Sequence, residues 1–212
     1  MRRKLYKLYN ALYRHYGPQK WWPARTKFEV IVGAILTQNT SWKNVEKAIR
    51  SLAGAKLLNP RSMEKSGKKR IASLIRPSGY YNIKAERLKN FIDFLFSKYD
   101  GSLRKMFSRD MQTLRAELLE VKGLGPETAD SILLYAGEKP VFVVDAYTKR
   151  ILSRHKVISI MDTYEKVQRL FMENIRPDAR IFNEYHALLV RLAKDACNKK
   201  PKCSKCPARS AL

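Results

Sequence analysis

Residues 121–130 read VKGLGPETAD, a glycine-rich turn set between two helical patterns. Apolar residues at helical spacing precede the turn over residues 114–119, and they predict a first helix. Gly123 and Gly125 can adopt positive φ without a Cβ penalty, so the backbone can turn sharply and approach a bulky group. Pro126 suits the first position of a second helix, where its missing N–H costs no hydrogen bond. The stretch therefore predicts a helix, a tight turn and a helix.

The turn has two interpretations that its own residues leave open. A Gly-x-Gly turn at the N-terminus of a helix presents unpaired backbone N–H groups, which suit a phosphate oxygen. The same residues also fit a tight corner between two helices packed in a bundle, with no ligand.

The charge of the chain favours a polyanionic partner. The 212 residues include 43 Lys and Arg against 19 Asp and Glu, which gives a formal net charge of +24. Basic and aromatic residues are interleaved, as in YYNIK at residues 80–84, which suits nucleic acid better than a lipid surface. No apolar run approaches the roughly 20 residues that cross a bilayer, and the basic start lacks the apolar core of a signal peptide. We expect a soluble, intracellular protein with no membrane partner.

Helical periodicity extends over almost the whole chain, and the alternation typical of strands is scarce. We therefore expect an all-α fold of two helical lobes with a cleft between them. The expected boundaries assign residues 23–135 to a helical lobe that contains the glycine turn. Residues 1–22 and 136–212 are expected to form the terminal lobe, and both lobes to make one compact catalytic unit.

Asp145 follows a short apolar segment, residues 141–144, and precedes a helical pattern. An aspartate at a helix N-cap accepts backbone N–H groups and lies at the positive end of the helix dipole, which favours its ionised form. Most such aspartates are only caps. In a chain this basic, the carboxylate can also stabilise a sugar oxocarbenium ion or activate a water that attacks C1′.

A second polar cluster, TQNT at residues 37–40, separates two apolar helical patterns. Buried polar side chains are costly unless they find partners, so Gln38 and Asn39 are candidate functional residues. An ordinary helix C-cap followed by an N-cap explains the same residues equally simply.

Four motifs occur in order along the chain. They are LTQNT at residues 36–40, GYYNIKA at 79–85, KGLGPETA at 122–129 continued by VVD at 143–145, and a cysteine-containing tail. Together they resemble the endonuclease III superfamily of DNA base-excision glycosylases, whose signature is a helix-hairpin-helix followed by a catalytic aspartate. The resemblance covers nearly the whole chain. It implies an all-α, two-lobed fold with that aspartate at the mouth of a base-binding cleft.

The resemblance implies roles for individual residues. Asp145 matches the catalytic aspartate, and the backbone of Gly123 and Gly125 matches the site that holds a DNA phosphate, often with a monovalent cation. Gln38 matches the side chain that fills the gap left by an extruded nucleotide, and Tyr80 matches the wedge on the opposite strand. Extrusion is needed because the glycosidic bond is inaccessible inside a stacked duplex. The full set expected to contact DNA is Gln38, Asn39, Tyr80, Lys84, Lys122, Gly123 and Gly125.

Glu127 departs from the bifunctional members of this family, which carry a lysine at the matching position. The amine of that lysine attacks C1′ and forms a Schiff base that leads to strand cleavage, which a carboxylate cannot do. The departure implies a monofunctional enzyme without AP lyase activity, in which water is the nucleophile and Asp145 assists. Glu127 either contacts or protonates the base, or is a solvated glutamate at a helix N-terminus.

Tryptophans supply a prediction about the substrate. With Glu127, the WWP sequence of Trp21, Trp22 and Pro23 together with Trp42 resembles the 3-methyladenine glycosylase branch, in which aromatic side chains hold an alkylated purine. Cationic bases stack well on indole rings. The same tryptophans also fit anchors of a core, and related archaeal branches with a similar start remove uracil or mismatched thymine.

The tail carries Cys197, Cys203 and Cys206, and it resembles the iron–sulfur loop of the family, which uses four cysteines. Leu212 stands where a fourth cysteine is expected, so a Cys₄ site for a [4Fe–4S] cluster is incomplete. A cluster with another ligand, a loop without a cluster and a shortened chain all remain open. The three histidines, His15, His155 and His186, receive no role.

The resemblance thus implies a monofunctional DNA glycosylase that releases an alkylated purine from damaged double-stranded DNA. We expect a monomer in the cytoplasm, associated with the nucleoid, of a bacterium or archaeon. Removal of uracil or G-mismatched thymine is the alternative activity. A non-catalytic helix-hairpin-helix module that binds DNA is the alternative class.

Overall fold

The computed structural model describes residues 1–209 and 211–212, and its regular structure there is entirely helical, which confirms the all-α prediction. In this part of the chain, no helix combines the length and the apolar composition that crossing a bilayer requires. Three short segments are of other helical types, namely the 3₁₀ turns Arg76–Ser78 and Cys203–Lys205 and the π-helix Ile132–Ala136. The α-helices are α1 Arg2–Tyr16, α2 Lys27–Leu36, α3 Trp42–Gly54, α4 Pro60–Lys65, α5 Lys68–Leu74, α6 Tyr81–Tyr99, α7 Leu103–Ser108, α8 Met111–Glu120, α9 Pro126–Ser131, α10 Ala146–Arg154, α11 Tyr164–Asn174 and α12 Ala179–Asp195.

The helices form two compact units. The first, which we call the hairpin unit, is Ala24–Gly137 and contains α2 to α9. Its central helix is α2, where Phe28 and all of residues 30–36 are buried. A helix that is apolar all round is stable only when other elements cover it, and α2 packs against α3, α6, α9 and the π-helix.

The other unit, the terminal unit, combines Met1–Pro23 with Glu138–Leu212 and contains α1 and α10 to α12. Helix α12 packs against both α1 and α10. An aromatic cluster fills the core, in which the rings of Phe142 and Phe171 stack with centroids 3.7 Å apart. The buried Tyr185 hydroxyl donates to the Leu5 carbonyl at 2.8 Å, so the phenol is satisfied within this core.

Local capping follows the sequence closely. Thr26 is the N-cap of α2, and its hydroxyl accepts the N–H of Glu29 at 3.1 Å. The Glu29 carboxylate reaches back to the N–H of Arg25 rather than to that of the cap residue. Asp145 caps α10 in the same way that its sequence predicts.

Candidate functional site

The glycine turn joins α8 to α9 and depends on one of its two glycines. Gly123 has φ of +92°, and a Cβ there would lie 2.5 Å from the Cγ of Arg87. Gly125 instead has φ of −90° as the N-cap of α9, and an added Cβ would meet open space. The expectation that both glycines need conformational freedom is therefore wrong for Gly125, whose backbone conformation is open to other residues.

A buried ion pair joins the two helices of the turn. Arg115 of α8 donates from Nε and Nη2 to the two carboxylate oxygens of Asp130 of α9, at 2.7 and 3.0 Å. Asp130 is fully buried, and the side chain of Arg115 is 25% exposed. The bidentate geometry fixes the angle between α8 and α9, because two hydrogen bonds hold the planar guanidinium and the planar carboxylate in one relative orientation.

The turn is also held from outside by Gln38, Arg87 and Asn90. The Gln38 amide donates to the carbonyl of Gly123 at 3.3 Å and to the hydroxyl of Thr128 at 2.8 Å, and it accepts a bond from Arg87. Asn90 donates to the Lys122 carbonyl at 2.9 Å. Gln38 thus lies at the hairpin, as its proposed role needs. The sequence did not indicate Arg87 and Asn90, three residues apart on α6, because their contacts join residues far apart in the chain.

Other residues predicted to contact DNA lie at the surface of the hairpin unit. Tyr80 is 71% exposed with φ of +44°, and Ile83 beside it is 51% exposed. Asn39 is exposed with φ of +54°. The side chain of Lys122 is 86% exposed. The predicted residues Tyr80, Asn39 and Lys122 are therefore accessible to a ligand as large as a duplex.

Lys84 is placed differently. It is 1% exposed, and its ammonium donates to the carbonyls of Leu36 and Ser78 at 2.8 and 2.7 Å. Burial, with a smaller effect of the Arg87 charge, lowers the pKa of Lys84 to about 8. This geometry contradicts the expected contact between Lys84 and DNA, because the ammonium is enclosed and already bonded.

Asp145 is held at both its backbone and its carboxylate. Its Oδ1 accepts the N–H of Thr148 at 2.7 Å, and its side chain is 13% exposed. The buried segment before it, residues 141–144, receives polar contacts from one face of α11. Gln168 donates to the Phe142 carbonyl at 2.7 Å, and the Val144 N–H points to the Tyr164 hydroxyl at 3.4 Å.

His186 of α12 is a site residue that the sequence did not reveal. Its Nε2 lies 3.6 Å from Oδ2 of Asp145, and its side chain is 7% exposed. Burial alone raises the pKa of Asp145, but the electrostatic interaction with His186 and the bonds from Thr148 outweigh it, so the pKa is lowered. The carboxylate is therefore ionised at neutral pH. The signal that was overlooked is a histidine within the apolar face of a core helix.

The predicted aromatic residues and Glu127 are distributed over the two units. Trp21 and Trp22 are half-buried in the terminal unit, with rings at 84° and centroids 6.1 Å apart, and Pro23 beside them is exposed. Trp42 is half-buried in the hairpin unit, where its indole donates to Glu46 at 2.8 Å. Glu127 is exposed in the first turn of α9.

Comparison with known proteins identifies the family. Residues 32–177, more than half of the chain, match the model of the HhH-GPD superfamily of base excision DNA repair proteins. The chain belongs to this superfamily. Since it carries the hairpin and the aspartate on the fold just described, it is a DNA glycosylase of the HhH-GPD base excision repair family.

Individual relatives of this HhH-GPD protein cover most of its length. It is 49% identical over 207 residues to a candidate DNA repair glycosylase of Methanocaldococcus jannaschii, covering 97% of this chain and 94% of the relative. It is 25% identical to the thymine/uracil-DNA glycosylase of Pyrobaculum aerophilum, over 92% and 84% of the two chains. The solved structure of H. pylori 3-methyladenine DNA glycosylase bound to 1,N6-ethenoadenine superposes with a TM-score of 0.78 at 29% identity, over 90% of this chain and 97% of that one.

The cysteine tail of this HhH-GPD protein does not fit a four-thiolate cluster. Cys197 is buried with its Sγ 3.3 Å from the Arg154 guanidinium, whereas Cys203 is exposed. Burial raises the pKa of the Cys206 thiol. Among the described residues, no group of three or more His, Cys, Asp or Glu side chains is arranged to hold a metal ion. Arg150 and Arg154 instead bond the Cys197 carbonyl and so fasten the loop to α10.

A large open groove lies elsewhere in the terminal unit. It has a volume of about 960 Å³ and is lined by residues from the end of α10 to α11, among them Lys156, Ile160 and Arg169. Neither Asp145 nor any of the tryptophans borders it. This groove is therefore distinct from Asp145, which belongs to the HhH-GPD signature.

Proposed function

We propose that this protein is a monofunctional glycosylase that hydrolyses the N-glycosidic bond of an extruded, alkylated purine in double-stranded DNA. One observation carries the proposal. The chain holds an ionised, doubly anchored carboxylate at Asp145, and it has a carboxylate, not an amine, at position 127. Charge stabilisation by such a fixed anion is retained, while Schiff-base chemistry at position 127 is lost.

The proposed reaction has one displacement step. As the bond between C1′ and the base nitrogen breaks, its electron pair leaves with the base and positive charge develops on the sugar. The Asp145 carboxylate stabilises this oxocarbenium-like state and accepts a proton from the water that bonds to C1′. An abasic site and a free base are the products. We further propose that Glu127 contacts the base through its exposed carboxylate.

Duplex binding is proposed to use the hairpin and the exposed residues near it. The backbone of Gly123 and Gly125 and the side chain of Lys122 contact phosphates of the damaged strand. Gln38 and Asn39 fill the gap that an extruded nucleotide leaves, and the exposed Tyr80 acts as the wedge. A monovalent cation at the hairpin and a monomeric state remain parts of this proposal.

The preference for an alkylated purine has two supports. The half-buried indoles of Trp21, Trp22 and Trp42 offer stacking faces, which bind cationic bases well. Among the solved structures, the similar H. pylori protein is a 3-methyladenine DNA glycosylase bound to an ethenoadenine. A glycosidic bond to a cationic purine is already weak, so little acid assistance is needed to break it.

Release of uracil or mismatched thymine is the second candidate activity. It is favoured by the similarity to the thymine/uracil-DNA glycosylase of Pyrobaculum aerophilum. The catalytic use of Asp145 is the same in both cases, and the two differ in the shape of the base pocket. A DNA-binding module without catalysis is a further alternative, since the positive net charge and the hairpin are sufficient for binding DNA.

Single-turnover base release from duplexes that each contain one lesion tests these proposals. The lesions are 3-methyladenine, uracil opposite G, thymine opposite G and thymine glycol. We expect release of the methylated purine by the wild type and a loss of about 100-fold or more in Asp145→Asn, whose capping ability is retained. Asp178→Asn is the matched control, because Asp178 is also an N-cap in the terminal unit and should leave release intact.

The outcomes separate the candidates. Release of uracil or thymine alone, lost in Asp145→Asn, would replace the substrate and keep the mechanism. Tight binding of every duplex with no release would establish the DNA-binding module. Release that survives in Asp145→Asn would refute the assigned catalytic residue.

Borohydride trapping tests the absence of lyase activity. The wild type is expected to leave an abasic strand that breaks only on treatment with alkali, and to form no covalent adduct with borohydride. Glu127→Lys introduces an amine at the lyase position, and an adduct in this variant would serve as the positive control. An efficient adduct in the wild type would contradict the proposal.

A further inference from the structure

We propose that His186 is a positioning residue for catalysis, which holds the second oxygen of Asp145 and fixes the carboxylate in one orientation. The inference rests on the proposed function of Asp145 and adds a residue to it. It concerns a buried histidine that the motifs of the family leave without a role.

The two oxygens of Asp145 have different partners. Oδ1 accepts the Thr148 N–H at 2.7 Å, a bond that belongs to the cap of α10. Oδ2 faces Nε2 of His186 at 3.6 Å, which is a charge contact rather than a short hydrogen bond. The cap restrains only one of the two oxygens, and the contact on the other oxygen further restricts rotation of the carboxylate about the Cβ–Cγ bond.

Burial makes this contact effective. The side chains of His186 and Asp145 are 7% and 13% exposed, so water screens their interaction little. A surface pair at the same distance would contribute almost nothing. The contact joins α12 to the N-terminus of α10, two helices that already pack against each other.

The surroundings of His186 argue for a role beyond packing. Its neighbours on α12, Tyr185 and Ala187 to Val190, are buried in the core of the terminal unit. Its ring lies edge-on to Phe142, with centroids 6.5 Å apart, and Phe142 belongs to the segment that leads to Asp145. A leucine would fill this place without the cost of burying a polar ring. The histidine therefore contacts both the carboxylate and the backbone segment that carries it.

The consequence for the reaction is geometric. A carboxylate stabilises an oxocarbenium ion only when its charge is already at the place where positive charge develops. Misplacement of a catalytic group by about 1 Å can reduce a rate about 100-fold. Loss of His186 should therefore slow base release and leave DNA binding unchanged.

The test compares His186→Leu and His186→Gln with the wild type. Using the lesion that the panel identifies, we expect His186→Leu to lower the single-turnover rate constant about 10- to 100-fold. Its Kd for a duplex with a tetrahydrofuran abasic analogue should stay within about threefold of the wild type. His186→Gln retains a polar N–H group and should recover part of the rate. His155→Leu is the matched control, because His155 ends α10 at the opposite end from Asp145.

A second readout does not depend on activity. Carbon-13 NMR of labelled aspartate carboxyls reports the ionisation of Asp145, which His186 of α12 and Thr148 of α10 face. Since His186 contributes to the lowered pKa of Asp145, that pKa should rise in His186→Leu and stay unchanged in His155→Leu. This measurement tests the contact between His186 and Asp145 even if the wild type releases no base. In that case the proposed function would have failed, and the titration would still decide the role of His186.

Two results would overturn the inference. One is a rate constant within twofold of the wild type in both His186 variants, with both proteins folded. The other is an Asp145 titration that is the same in His186→Leu and the wild type. If His186→Leu does not fold, His186→Gln carries both measurements.

Discussion

At the scale of single residues, Lys84 shows how a basic side chain can serve the fold rather than DNA. Leu36 is the last residue of α2, and Ser78 ends a 3₁₀ turn, so both carbonyls belong to helix ends without an intrahelical partner. The ammonium of Lys84 bonds both. A cation at the C-terminal ends of two helices also matches their dipoles. Its long stem allows a residue in the first turn of α6 to reach them.

Replacement of Lys84 by methionine should destabilise the protein by about 2 kcal/mol near pH 7, because two buried carbonyls lose their donor. The difference should also depend on pH. The pKa of Lys84 is about 8 in the folded protein against the usual 10.5, so between these values the unfolded chain binds more protons. The stability of the wild type relative to the variant should therefore increase as pH rises from 8 to 10.5.

Urea unfolding of both proteins from pH 7 to 10.5 measures this difference. Lys89→Met is the control, since Lys89 of the same helix also donates to a carbonyl, that of Glu64, but in an exposed place. A constant difference for Lys84, or one that decreases with rising pH, would contradict the assigned burial.

At the scale of elements, the hairpin is held by side chains from three directions. Arg115 and Asp130 join its two helices, Gln38 reaches it from the end of α2, and Arg87 and Asn90 reach it from α6. The turn itself contains only one residue with positive φ, Gly123. Its conformation is thus maintained by contacts of the whole hairpin unit and not by local glycine content alone.

Arg115→Met should destabilise the hairpin unit by about 3 kcal/mol, because the buried Asp130 carboxylate loses its planar partner. In Arg115→Met with Asp130→Asn, the unpaired charge is removed, and we expect about half of the loss to be recovered. Denaturant unfolding of both single variants and the double variant measures the coupling. Additive effects of the two substitutions would show that Arg115 and Asp130 are not energetically coupled.

Arg87→Met should weaken binding to an undamaged duplex by about 3- to 30-fold, as expected for the loss of a cation beside a phosphate site. The reason is that the Arg87 side chain packs directly on Gly123: a Cβ added to this glycine would lie 2.5 Å from the Arg87 Cγ. Fluorescence anisotropy at fixed salt measures Kd, with Arg104→Met on the exposed side of α7 as the control. Equal effects of the two substitutions would show that Arg87 acts only through the net charge.

At the scale of the whole molecule, the net charge of +24 favours non-specific electrostatic association with DNA. Lysines and arginines at the surface attract the duplex without regard to sequence, and counterions are released when phosphates are neutralised. This long-range attraction suits a protein that has to search undamaged DNA. The precise contacts at the lesion are a separate matter and depend on the site residues.

The affinity for undamaged duplex should therefore fall steeply with salt, with a slope of log K against log[salt] of about −4 or steeper. Lys122→Gln should reduce the magnitude of this slope by about 1, because its exposed ammonium lies at the hairpin. Lys4→Gln on α1 is the control with the same loss of charge. A shallow slope, or equal changes in both variants, would contradict a phosphate contact at Lys122.

Local rules were sufficient for much of this protein. Helical periodicity predicted the all-α fold, and capping chemistry placed Asp145 at a helix start, because these signals depend on residues close together in the chain. The order of the motifs along the chain also indicated the superfamily. The turn at Gly123 was likewise predictable, since only glycine tolerates its φ at low cost.

Long-range packing determined the rest. Lys84 is internal because α6 passes the ends of α2 and of a 3₁₀ turn, and Arg87 lies at the hairpin because the same helix runs beside it. His186 reaches Asp145 because α12 packs on α10. Each contact joins residues that are far apart in the chain, and periodicity reports only which face of a helix is buried, not which side chain of another helix it meets.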